Sequence, residues 1–385
     1  MTAIYLDYNA TTPLDTAALE AMLPYLREHF GNPSSTHAFG VAAHEAVDLA
    51  RRQVAAMLGA EADEIVFTSG GSEASNHALK GIVFAHLRAA SGGLTKNTHL
   101  ITSAIEHPAT LRPCEFLQGI GCQVTILPVD RHGCVDPDAV RNALDRPTAL
   151  VSIMHANNEV GTLQPIREIA ELAHARGALV HTDAAQSAGK IPVNVHELGV
   201  DLLSLAGHKL YAPKGIGALY VRRGVKLEPL IHGAGHEGGR RAGTENVPYV
   251  VALGKACAIA REAFPHSTER LLSLRNRLWQ RLYSVWGDRV VLNGHPENRL
   301  PNTLNVNFVG HIGAELLRAV PEVAASTGSA CHEGSVRLSP VLEAMGVAPE
   351  LGRGAVRFSV GRFTTEAEID RAAQAFERIY KIGLP

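Results

Sequence analysis

The stretch "TALVSIMHANNEVGTLQPIREIAELAHARGALVHTDAAQ", residues 148–186, decides the fold. It opens and closes on short apolar, β-branched stretches, within 148–161 and 177–186, each followed by a turn; several of the chain's runs of this kind are apolar throughout rather than alternating. That is the pattern of strands buried on both faces. Between them "PIREIAELAHARG" (165–177) carries a helical pattern, closed by the glycine expected after a helix. The same unit recurs on either side. "EIVFTSGG" (64–71), "HLITSAIEH" (99–107) and "CQVTILPVD" (122–130) precede it, and "DLLSLAGHK" (201–209) and "GALYVRR" (217–223) follow. Strands alternating with helices predict an α/β protein with an open, mostly parallel seven-stranded sheet covered on both faces. The last strand follows its predecessor through the short "YAPKGIG" (211–217) and is expected to be an antiparallel addition.

Beyond "GTENVPYVVALGKACAIA" the pattern changes. A long helical segment over about 246–286 is expected to break near Pro265. Strands follow around "RVVLNG", "NTLNVNFVG" and "AVRFSVGRF", with helices at "GAELLRAV" and "TEAEIDRAAQAFERIY". This predicts a smaller α+β domain. The expected division is 13–250 for the large domain and 251–385, joined by 1–12, for the small one. A length of 385 residues also exceeds what one core usually serves.

Composition narrows the function. There are 36 basic and 38 acidic residues, a formal charge of −2. No basic excess exists to displace counterions, which argues against a nucleic-acid partner. No apolar run approaches the roughly 18–20 residues needed to span a bilayer, and the start has no signal-peptide pattern, so a cytoplasmic protein without membrane contact is expected. Five cysteines without a C-x-x-C pair make a disulfide scaffold or a structural zinc site improbable. "HGAGH" (232–236) has loose metal-like spacing but no matching ligand set, and reads as a loop.

Ligands of open α/β sheets bind at the carboxyl ends of the strands. The residues there are Ser69 to Ser72, Glu106 and His107, Asn157 to Glu159, Asp183 with Gln186, and His208 with Lys209. This density of functional groups marks an active site. "TSGGSEASNHALKG" (68–81) is a strand, a Gly-Gly turn and a helix start, which suits a phosphate; an ordinary strand–helix turn is the competing reading. Lys209 ends an apolar strand, where desolvation favours the neutral amine that a Schiff base needs, against the alternative of an exposed lysine. Asp183 at a central strand tip needs a cation if buried, or else caps the helix start "DAAQSAG". A phosphate cradle, a Schiff-base lysine and a buried acid are together what pyridoxal phosphate requires.

The motifs "YLDYNATTP" (5–13), "FGNPSSTHAFG" (30–40), "TSGGSEASN" (68–76), "EHPA" (106–109), "NNEVGTLQPI" (157–166) and "HTDAAQSAGK" (181–190) continue that pattern. "GHKLYAPKGIGALYVRR" (207–223), "GRRAGTENVP" (239–248), "STGSACHEGS" (326–335) and "VRFSVGRFTTEAEID" (356–370) complete it. In these the chain resembles the cysteine desulfurases of the class V, fold-type-I aminotransferase superfamily over nearly its whole length.

The resemblance implies a pyridoxal 5'-phosphate enzyme that takes sulfur from L-cysteine, leaving alanine. Lys209 would carry the cofactor and shuttle protons, Asp183 would pair with the ring nitrogen, and His107 would stack on the ring and act as a catalytic residue in proton transfer. Asn158 and Gln186 would bond the phenolic oxygen. Gly71, Ser72 and His208 would hold the phosphate, with Thr244 supplied across a homodimer. Arg357 would bind the substrate carboxylate, assisted by Asn32, with Arg362 structural. Cys331 would accept the sulfur as a persulfide and pass it to an acceptor protein, for iron–sulfur cluster assembly or another thiocofactor. Selenocysteine lyase and a class V aminotransferase are the alternatives. Ala206, Gly238 and the pair His332 and Glu333 depart from the family pattern. Ala206 removes a hydroxyl expected at the phosphate, Gly238 an arginine near the dimer seam, and Ala212 stands where glycine is common.

Overall fold

The computed structural model describes residues 3–89, 98–327, 329–332 and 335–382. The chain opens with β1 (Ile4–Tyr5), α1 (Thr16–Arg27) and α2 (Ala38–Leu58). Then come β2 (Ile65–Thr68), α3 (Gly71–Ala89), β3 (His99–Ser103), α4 (Pro108–Gly119) and β4 (Gln123–Leu127). The run continues through α5 (Pro137–Ala143), β5 (Thr148–Ser152), α6 (Ile166–His174), β6 (Leu179–Asp183), α7 (Val195–Leu198), β7 (Leu202–Ala206) and β8 (Gly217–Val221). Strands β2 to β8 form one seven-stranded sheet in the order β2-β8-β7-β6-β5-β3-β4. Only β8 runs against its neighbours, antiparallel to both β2 and β7.

Strand periodicity explains why the runs are apolar throughout. Side chains alternate faces, and here the two faces feed two different cores. Ile65, Phe67, Ile101, Val151, Leu203 and Leu205 pack with α1, α2, α6 and a later helix, α8 (Val247–Ala263), on one side. Val66, Leu100, Leu150, Leu202 and Leu219 pack with α3 and α4 on the other. In α6 the buried residues are Ile166, Ile169, Ala170 and Ala173, the spacing of one helical face.

The predicted break near Pro265 separates α8 (Val247–Ala263) from α9 (His266–Trp286). Val250, Leu253, Ala256, Cys257 and Ala260 belong to the large core, whereas Leu271, Leu274, Leu278 and Leu282 belong to a second one. The chain therefore changes core between Ala263 and His266. That is later than residue 250, because the apolar stripe of α8 stays on the large core to its last turn.

The second core lies on β9 (Val290–Asn293), β10 (Thr303–Phe308), β11 (Val323–Ala324) and β12 (Ser326–Thr327), which precede the hairpin β13 (Ser329–His332) and β14 (Ser335–Leu338), and β15 (Ala355–Ser359). β12, β15, β10 and β9 make an antiparallel sheet in that order. Trp286, Phe308, Phe358 and Phe376 fill it. The N-terminus crosses to this unit: β1 pairs with β11, and Asp7 bridges to Ser359.

Candidate active site

The parallel strands β2, β3, β5, β6 and β7 end on one edge of the large sheet. A cavity of about 800 Å³ opens there, lined by the loops that follow them and by Asn9, Ala10, Thr11 and Arg357. The sequence-predicted residues Gly71, Ser72, His107, Asn158, Asp183, Gln186, His208, Lys209 and Arg357 all line it.

Lys209 follows β7 in a single turn of 3₁₀ helix. Its Nζ donates to the carbonyl oxygens of Asn9 at 2.5 Å and Ala10 at 2.7 Å. Carbonyl dipoles hold the ammonium in place without matching its charge. Burial is the main cause, with Arg357 adding, that brings its pKa down to about 8, against the opposing pull of Asp183 and Asp7. The amine is thus accessible near neutrality, as a nucleophile or proton carrier requires.

Asp183 is the last residue of β6 and is buried. Burial raises its pKa, opposed by the Ala185 N–H that it accepts at 2.9 Å and by His107 and Lys209. The buried carboxylate is thus matched by a cation only through charges at a distance. His107 caps α4, its Nδ1 accepting from Ala109 N at 3.1 Å. That places the proton of the neutral ring on Nε2. Desolvation lowers its pKa, with Lys209 assisting and Asp183 opposing.

The Gly-Gly turn stands at the start of α3. Gly70 has φ +149°, and a Cβ on Gly71 would come within 3.1 Å of the Ala206 Cβ. Glu73 closes the first turn by accepting from Ser69 N at 2.8 Å, and is itself held by Arg241 at 2.9 Å. Ala206 lines the cavity beside this turn. His208 bonds through Nδ1 to Thr11 Oγ1 at 3.1 Å, and burial, with Lys209, Lys214, His107 and Lys190 adding, lowers it to about 4. It offers an anion a hydrogen bond, not a charge.

Arg357 reaches the cavity from β15 of the other sheet. Its Nη2 donates to Asp7 Oδ1 at 2.6 Å and its Nη1 to the Asn158 carbonyl at 3.1 Å, while the buried Nε has no partner among the described residues. The fork expected for a carboxylate is partly engaged inside the protein. A ligand must use the remaining N–H groups. Arg362 is elsewhere, paired with Asp15 Oδ2 at 2.5 Å and stacked on Tyr211.

Two predicted residues do not line the cavity. Asn32 is exposed and its Oδ1 accepts from Ser34 N at 2.9 Å, so the expectation that it assists Arg357 is not met within one chain. Thr244 is exposed as well. Sequence reasoning missed Asp7 and the carbonyls of Asn9 and Ala10. An acid 350 residues from its partner leaves no local signal, and backbone oxygens leave none at all. Gly238 has φ +64°, a left-handed turn where an arginine would be strained. It follows Glu237, which holds Arg51 through both carboxylate oxygens.

Cys331 lies on β13, paired with Val336. Its side chain is outside the described part of the structure, as are the side chain of His332 and the whole of Glu333. The other four cysteines all have thiols raised by burial, Cys114 and Cys257 to about 12. None of the four is disposed to form a thiolate. Among the described residues no three His, Cys, Asp or Glu side chains converge as a metal site would need.

This donor set fits pyridoxal phosphate. Asp183 is a buried acid suited to a pyridinium nitrogen, the turn at Gly70 and Gly71 lines the cavity with open space where a Gly70 Cβ would stand, and Lys209 is a cation of reduced proton affinity.

The aminotransferase class-V family model matches residues 4–372. The cysteine desulfurase IscS of Dictyoglomus turgidum is 48% identical over 378 residues, covering 98% of this chain and 94% of its own. Among solved structures, a NifS-like protein matches with a TM-score of 0.91 at 37% identity, covering 99% of this chain and 100% of its own. SspA in complex with cysteine matches with a TM-score of 0.79 at 39% identity, over 94% and 99% of the two chains.

Proposed function

We infer the work of each residue from one fact: the chain belongs to the aminotransferase class-V family and is a cysteine desulfurase. Pyridoxal phosphate, when bound, supplies the electron sink that labilises bonds at the substrate's α- and β-carbons. Lys209 anchors it and carries the α-proton, a task suited to a pKa near about 8. Asp183 would keep the ring nitrogen protonated. His107 would pack on the ring, and Asn158 and Gln186 would bond its phenolic oxygen. Gly71, Ser72 and His208 would hold the phosphate. Arg357 binds the carboxylate of L-cysteine, with Asp7 fixing the guanidinium plane.

Cys331 acts as the thiolate nucleophile on the substrate sulfur. The new S–S bond forms as the C–S bond breaks; the electron pair stays with the carbon fragment, which takes a proton and leaves as alanine. The persulfide then goes to an acceptor protein, for iron–sulfur cluster assembly or another thiocofactor. The observation that carries this reading is a register. Ser326 on β12 pairs with Arg357 on β15. The cysteine hairpin is thus rooted beside the substrate arginine, and the five residue steps from Ser326 to Cys331 span up to about 16 Å when extended.

We read the larger unit as the cofactor-holding domain and the smaller as the carrier of the hairpin, with the change between Ala263 and His266. We also place Thr244 in the site of a second copy. The stacked pair Phe30 and Phe39, 77% and 58% exposed, with exposed Leu26 and Val41, gives such a homodimer an apolar face. Sedimentation of the holoenzyme as a monomer would refute the dimer. No helix among the described residues is long and apolar enough to cross a membrane, which accords with a cytoplasmic enzyme.

The test of the reaction is Cys331→Ala. This variant is expected to keep the yellow cofactor band and lose alanine formation from L-cysteine. Alanine produced at the wild-type rate would overturn the persulfide step.

A further inference from the structure

The sequence motif "HTDAAQSAGK" ends on a lysine to which the reaction gives no work. Lys190 is 7% exposed. A lysine is rarely buried without a partner, and among the described residues no carboxylate pairs with this one. Its Nζ donates to the Gln186 carbonyl at 2.8 Å and to Gln186 Oε1 at 3.4 Å. Gln186 Nε2 in turn donates to the Asn9 carbonyl at 3.0 Å, the same oxygen that accepts from Lys209 Nζ. Lys190, Gln186, Asn9 and Lys209 thus form one continuous chain of polar contacts, of which Gln186, Asn9 and Lys209 line the cavity and Lys190 stands behind them.

The chemistry of the two ends fixes the amide between them. Burial, with Lys209 adding, brings the Lys190 pKa down to about 7; in its charged form the ammonium only donates and so favours the oxygen of Gln186 on its side. A carbonyl only accepts, so the NH₂ must face Asn9. With one N–H on Asn9, the second is what Gln186 has to offer a ligand in the cavity. We propose that Lys190 is a positioning residue that holds the Gln186 amide in this orientation, so that the site presents a donor, not an acceptor, to the cofactor's phenolic oxygen. The inference rests on the cofactor reading above and adds to it the group that sets the polarity of one contact.

A donor at that oxygen favours its ionised form and the yellow absorption band; an acceptor favours the protonated form and the near-ultraviolet band. The test compares the visible spectra of holoenzymes at one fixed pH. Lys190→Met keeps the length of the stem and removes the donor. Its ratio of yellow to near-ultraviolet absorption is expected to fall about fivefold, the worth of one net hydrogen bond. Lys190→Arg, which still donates, is expected to restore most of the ratio. In a Gln186→Leu background the same Lys190→Met change is expected to move the ratio no further, because the amide it orients is gone.

An unchanged ratio in Lys190→Met, with the yellow band present in the wild type, would overturn the proposal. So would an equal fall in the Gln186→Leu background, which would show an effect that does not pass through the amide. A wild type without any yellow band would instead refute the cofactor reading. Near-ultraviolet circular dichroism of each variant separates these outcomes from a failure to fold, and Lys190→Gln serves as the second donor-bearing variant should Lys190→Arg not fit.

Discussion

Lys209 and Arg357 are two cations on one cavity, delivered by two different sheets, and the protein treats them in opposite ways. Lys209 stands just past the end of β7, and its Nζ donates to the carbonyl oxygens of Asn9 and Ala10. Dipoles steady the ammonium but do not cancel the cost of burying it, so its proton is loosely held. Arg357 on β15 is given a carboxylate, Asp7, at 2.6 Å. A guanidinium keeps its charge in any case, and the pairing spends binding capacity on a fixed plane. The first environment suits a group that must change protonation. The second suits one that must never do so. The N-terminal segment supplies both, since Asp7, Asn9 and Ala10 lie within four consecutive residues between the two units.

The largest way to break the comparison is to remove the labile cation. Lys209→Ala is expected to lower kcat for alanine formation at least about 10³-fold, the scale of a lost proton carrier, and to abolish the covalent cofactor band. A loss confined to KM would mean that Lys209 only binds. Removing the fixed cation should act differently. Arg357→Ala is expected to raise KM for L-cysteine about 10- to 100-fold, the worth of a charge-assisted hydrogen bond, with a smaller change in kcat. A kcat loss matching that of Lys209→Ala would erase the distinction.

The difference in proton affinity is itself measurable. The apo protein should capture added cofactor slowly at low pH, where the Lys209 side chain is an ammonium. The rate should rise about tenfold per pH unit below about 8 and level off above it. A rate still climbing steeply toward the ordinary lysine pKa would show that burial does not loosen the proton. The smallest effect belongs to the phosphate end. Ala206→Ser restores a hydroxyl beside the Gly71 turn and should slow cofactor loss about fivefold, one net hydrogen bond. Faster loss would mean that the added oxygen crowds the cradle.

Much of this was legible in the sequence, for a physical reason. Buried parallel strands read as unbroken apolar runs because each face has its own core, and functional groups gather where those runs end. Asp183, Lys209 and His107 announced themselves that way. What stayed hidden depended on contacts between distant parts of the chain. Lys190 looks like any charged residue after a helix turn until its burial is seen. Asp7 is paired with a residue near the other end of the chain. The changeover between cores could not be placed from composition, because α8 and α9 are both apolar on one stripe and differ only in which core that stripe meets.

The most direct measurement is made on the holoenzyme incubated with L-cysteine, following alanine and sulfide in solution and the mass of the peptide that contains Cys331. The expected result is alanine in step with a gain of one sulfur atom on that peptide, discharged when a thiol acceptor is added. Alanine formed with no added mass on the Cys331 peptide would contradict the assignment of sulfur transfer to this residue.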